Sequence, residues 1–154
     1  MNLTFIYRLK INTALIADLI SAALLLLFLY TAVSKLSDYE SFRFVLTKSP
    51  LLYPFAGFIS IALPITELFM ALLLFIPRTR LTGLYASFIL ISLLTLYLIY
   101  MIAFTPDLPC NCGGVLKLLS WKQHIFFNLF FMLLSLCGIF LYQKNKNRRS
   151  SSPP

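Results

Sequence analysis

Four side chains in this sequence have the type and setting to do chemistry: Cys110, Cys112, His124 and Glu67. The cysteines lie in Pro109-Cys110-Asn111-Cys112-Gly113-Gly114, a polar island in a mostly apolar chain. A pair at i, i+2 closes only as a small, strained ring, or else each thiol bonds to a different partner sulfur. Strained, exposed disulfides are oxidising and labile, which suits exchange better than stapling. Gly113 and Gly114 let the backbone turn sharply and leave the sulfurs open to an incoming protein thiol. His124 is the single histidine. As imidazole it can take a proton from a cysteine, and as imidazolium it favours the thiolate; the alternative is an interfacial ring bonded to backbone or water. Cys110, Cys112 and His124 also suit a trigonal Cu(I) site or part of a zinc site, but a fourth ligand is not evident and Met101 is a distant axial candidate. No metal is assigned.

These side chains must be positioned inside a membrane. Of 154 residues, 60% are hydrophobic and 12% charged, with 15 Phe and 8 Tyr, more apolar surface than a soluble domain of this size can hide. Four runs, 15–33, 52–76, 81–104 and 125–142, are long enough to cross a hydrocarbon core ~30 Å thick, which takes about 20 helical residues. They lack the alternating polarity of membrane strands. The composition predicts an all-α membrane protein, a four-helix transmembrane bundle in the lipid bilayer. Its domain covers 1–143, and 144–154 is expected to be a basic, Ser/Pro-rich, disordered tail. The first run follows Arg8 and Lys10 like a signal peptide, but its length and lack of a small-residue cleavage site predict retention.

Cationic residues predict orientation. The two termini and the loop between spans two and three carry Arg8, Lys10, Arg78, Arg80, Lys144, Lys146, Arg148 and Arg149; the other two loops carry Lys35, Arg43, Lys48, Lys117 and Lys122. Eight against five puts both termini in the cytoplasm and the CxC loop outside the plasma (inner) membrane, where disulfides persist. The net charge of +8 is accounted for by orientation and anionic headgroups, with no nucleic-acid partner.

Around the spans, residues 1–12 are expected at the inner interface, with Asn12 or Thr13 capping the first span and Asp18 solvated near its cytoplasmic end. Ser37 and Glu40 form a capping box for a short amphipathic helix in the first outer loop. Phe42, Val45 and Leu46 share a face of that helix, Ser49-Pro50 ends it, and it either closes the loop or covers the cysteines. Pro64 should kink the second span. Glu67, roughly 20 Å below Pro54 by helix rise, lies near the midplane without an obvious partner. It reads as a protonated carboxyl bonded between helices, or as a proton-relay or quinone contact, a membrane quinone being the one cofactor the sequence suggests. Pro77 to Arg80 is a tight turn joining antiparallel spans, and the third span shows no redox group. Ser120 and Gln123 form a second capping box, so the fourth span starts near Trp121, with His124 and Asn128 at i, i+4 on one face. Cys137, roughly 20 Å beyond His124 on the same helix, is expected to be a buried packing thiol. Helix rise thus separates Glu67 and Cys137 from the CxC loop and leaves His124 within its reach.

Lys35-Leu36-Ser37-Asp38-Tyr39 with Phe42, Pro64-Ile65-Thr66-Glu67, Cys110-Asn111-Cys112-Gly113-Gly114, and Trp121-Lys122-Gln123-His124 with Asn128 together resemble the MauE branch of the DoxX-like membrane proteins. The resemblance runs from about residue 15 to 142. It implies a four-helix membrane bundle with a role in maturing the disulfide-rich small subunit of methylamine dehydrogenase, alongside a thioredoxin-like partner. It also implies a thiol-disulfide role for Cys110 and Cys112. The functional expectation is a membrane thiol-disulfide oxidoreductase acting on exported proteins. The alternatives are a non-enzymatic anchor for a thioredoxin-like partner and a Cu(I)-handling membrane protein.

Overall fold

A computed structural model describes residues 3–104 and 121–150, with side chains from 13–104 and 122–147. The described chain is helical: α1 (Leu3–Ser37), α2 (Tyr39–Lys48), a 3₁₀ turn (Tyr53–Phe55), α3 (Ala56–Phe75), α4 (Arg80–Phe104) and α5 (Trp121–Ser150). Four segments, Thr13–Ser37, Tyr53–Phe75, Arg80–Phe104 and Lys122–Asn147, are long and apolar enough to cross a membrane. The protein is a four-helix membrane bundle, as its composition predicts. In space α1 packs against α3 and α5, and α4 closes the ring by packing against α5 and α3.

Its polarity is that of a protein dissolved in lipid. Leu26, Phe58, Leu96 and Phe126 are among the large side chains left exposed, while Ser21, Ser60, Ser87 and Ser135 are buried. Between lipid-solvated helices the hydrophobic effect does not discriminate, so close packing of small residues and hydrogen bonds between helices hold the bundle together. Ser135 Oγ donates to the Leu84 carbonyl at 2.8 Å, joining α5 to α4, while Ser21, Ser87 and Thr95 bond back to their own helices.

The turn after α3 is tight, as expected. Thr79 Oγ1 donates to the Leu73 carbonyl at 2.9 Å and Arg80 Nε to that of Leu74 at 3.3 Å, satisfying carbonyls at the C-terminus of α3. Four expectations are corrected. Asn12 and Thr13 do not cap a span, because α1 is continuous from Leu3 through a stretch without Gly or Pro; Thr13 Oγ1 instead donates to Asn145 Oδ1 at 3.1 Å. The Ser37–Glu40 capping box is absent because Ser37 is still inside α1, and Asp38 takes the N-cap position of α2 without a side-chain cap bond. Residues 144–150, expected in the disordered tail, instead continue α5 to Ser150, again through residues without a helix breaker, while 151–154 lie outside the described residues. Cys137 is exposed, on the same stripe of α5 as Phe126, Phe130, Leu133 and Phe140, while Ser135 and Ile139 face inward. Asp18 is exposed as expected, and it pairs with Arg80. Pro64 sits inside α3 without ending it.

At Gly83 α4 comes close to α3: a Cβ there would lie 3.1 Å from the backbone of Leu73 and Leu74. Backbone cannot rotate aside as a side chain can, so Gly83→Val should force the helices apart and cost about 1–3 kcal/mol. Thermal unfolding in detergent measures this. A wild-type midpoint for the variant would show that the approach does not constrain the bundle.

Candidate functional site

α2 is the element that builds the site. It leaves α1 after one residue and buries Phe42 and Leu46 against Ala56, with Leu52, Ile59 and Leu63 packed around them. Tyr39 and Ser60 hydroxyls lie 3.2 Å apart and tie the start of α2 to α3. α2 therefore lies along the end of α3 nearer the connection between α4 and α5. Beneath it is a cavity of about 390 Å³ lined by all five helices.

Inside this cavity Lys35 and Glu67 form a buried ion pair. Lys35 Nζ donates to Glu67 Oε1 at 2.7 Å and makes a longer, 3.5 Å contact to the Thr31 carbonyl. It lies 5.8 Å from the centroid of the Phe42 ring, which adds a cation–π contact from the roof. The side chains are 8% and 2% exposed, so the pair is almost wholly removed from its surroundings. Charges at such a site are tolerated when closely paired and further hydrogen-bonded. Glu67 Oε2, however, is buried with no hydrogen-bond partner among the described residues.

The sequence anticipates a protonated Glu67 bonded between helices; the structure instead pairs that carboxyl with the Lys35 ammonium, a residue the sequence counts among the outer-loop cations. α1 runs four residues beyond the apolar run that ends at Val33, and the Lys35 side chain folds back along the helix, as side chains on helices do. The signal was present: a carboxylate inside a span needs a partner, and Lys35 adjoins the first span.

His124 is 6% exposed and lines the same cavity, one turn inside α5, as does Asn128. Helix rise along separate spans set Glu67 apart from the end of the bundle that holds His124; the cavity brings both onto one surface. Tyr97 of α4 also lines it, although nothing in the third span suggested a functional side chain. Met101, the distant axial candidate, is buried in α4. Cys110 and Cys112, the Ser120 half of the second capping box and the Trp121 side chain lie outside the described residues; α5 does begin at Trp121.

The ion pair gives a testable asymmetry. Lys35→Met leaves a buried carboxylate alone and should destabilise by roughly 3–5 kcal/mol, whereas Lys35→Met/Glu67→Leu removes both charges and should recover most of that loss. Thermal unfolding of wild type, both single variants and the double variant measures the coupling. Additive losses would mean that the two charges do not support each other.

A family model described as Methylamine utilisation protein MauE matches residues 13–141. No curated protein matches the chain. No solved structure matches it.

Proposed function

The chain belongs to the MauE family, and from that premise we propose that it is a membrane thiol-disulfide exchange protein whose Cys110 and Cys112 act outside the cytoplasm on exported proteins. The observation that carries the reading is the CxC-Gly-Gly sequence on the connection that leads into α5, with His124 buried one turn beyond its end. A thiolate of an exported client attacks the Cys110–Cys112 disulfide and forms a mixed disulfide, releasing one protein thiol. The client's second thiolate resolves it, so the client gains a disulfide and Cys110 and Cys112 are left as two thiols, two electrons and two protons having moved. His124 serves as the base that takes the cysteine proton, or as the cation that favours the thiolate. A thioredoxin-like exported protein is the partner class, and the family's description as a methylamine utilisation protein makes an exported protein of methylamine utilisation the first client to test.

Cys112→Ser decides between exchange and a static anchor. Exchange predicts a mixed disulfide trapped on Cys110, visible on non-reducing gels and lost on reduction, with at least a tenfold loss of client disulfide formation. An untrapped variant that still supports client maturation would refute exchange and leave an anchoring role.

A further inference from the structure

The cavity under α2 has the chemistry of a site for a neutral, lipid-soluble molecule with a polar end. Its volume, about 390 Å³, falls within the roughly 300–1,000 Å³ range of small-ligand pockets. Two of its lining leucines, Leu51 and Leu93, are 56% and 58% exposed. Leu93 lies midway along α4, so one wall of the cavity is formed by a side chain that also faces the lipid side of the bundle at membrane depth. A ligand entering there comes from the bilayer.

The polar end narrows the class further. An anionic ligand would meet the Glu67 carboxylate, and a cationic one the Lys35 ammonium; the pair carries no net charge to offset either. What the pair offers is a donor beside an acceptor. The Lys35 ammonium has three N–H groups, of which the short bond to Glu67 Oε1 takes one and the long contact to Thr31 another. Glu67 Oε2 is an acceptor with no hydrogen-bond partner among the described residues. A quinone carbonyl accepts from Lys35; the hydroxyl of the reduced ring donates to Oε2. Both redox states are then satisfied by the same two side chains, with His124 and Tyr97 on the same wall.

We infer that this cavity binds the headgroup of a membrane quinone, its ring against Lys35 and Glu67 and its tail leaving past Leu93 toward the lipid. Reduction of the ring takes two electrons and two protons and gives the hydroquinone. Oxidation of a dithiol to a disulfide releases the same number of each. Use of the quinone as acceptor for Cys110 and Cys112 rests on the exchange reading above; binding does not.

The test uses the full chain in phosphatidylcholine nanodiscs, photolabelled with an azido-quinone. Competition is measured with decylubiquinone and with decylbenzene, which has the tail and ring but no carbonyls. Label is expected on cavity-lining peptides, and decylubiquinone should compete at a concentration at least tenfold below that of decylbenzene. Glu67→Gln should reduce that preference severalfold, and Leu94→Trp, which adds bulk to the cavity wall and leaves both charged side chains in the sequence, should abolish labelling at an unchanged thermal midpoint. If Glu67→Gln does not fold, Leu94→Trp decides. Equal competition by decylbenzene would show an acyl-chain crevice only and overturn the proposal, as would labelling that Leu94→Trp leaves intact. Specific binding without quinone reduction by the reduced protein would remove the quinone as acceptor for Cys110 and Cys112 and leave the binding site standing.

Discussion

The bond between Lys35 and Glu67 is the constraint on which the rest of the structure depends. Two full charges inside a membrane bundle leave little freedom: each must sit within hydrogen-bond distance of the other, and neither can be moved alone. The last turn of α1 is thereby fixed against the middle of α3. Because α2 departs from α1 a single residue later, its landing place on α3 is fixed as well, and Phe42 comes down beside the ammonium. The space enclosed between α2 and the far helices is a product of that geometry. A leucine pair in place of the charges could hold α1 to α3, but it would leave the cavity with fewer directional groups.

The bundle achieves its specificity with small and polar residues because large apolar ones are equally content in lipid. Gly83 lets α3 and α4 approach, Gly138 lies against Ile20 and Leu84, and Ser135 bonds across to α4. The half of the bundle toward the turn at Pro77 is packed in this way around Leu24, Leu74 and Leu84. The half beneath α2 is looser, and its interior carries the titratable groups. Close packing at one end and enclosed space at the other divide the molecule into a holding part and a part able to receive a ligand.

Much of this was legible in the residues. Four apolar runs, the Pro77–Arg80 turn, the amphipathic helix with Phe42 and Leu46 inward, and the start of α5 at Trp121 all follow from length, turn chemistry and periodicity. Glu67 stood out because a carboxylate within a span demands an explanation. Two misses share a cause: local polar signals suggest an end to elements that the helix carries through. The polar residues after Val33 suggested a loop, yet the helix continues and delivers Lys35 to Glu67. The charges after Tyr142 suggested disorder, yet an existing helix extends cheaply through residues with no breaker. Cys137 was placed by depth alone, whereas its angular position on α5 turns it outward. Nor can helix rise along separate spans show that His124, Glu67 and Tyr97 share a wall, since that depends on how four helices rotate about their axes.

α1 is 35 residues long and α5 is 30, so at ~1.5 Å per residue they extend about 52 and 45 Å, well beyond a ~30 Å hydrocarbon core. Both project past the bundle at the end that holds the Pro77–Arg80 turn, and the bond from Thr13 to Asn145 joins them there. The basic residues before the first span and after the last are therefore carried on a two-pronged helical stalk. The backbone at both ends of the chain thus leaves the bundle as helix, so the ends of α1 and α5 are set by the bundle's own packing.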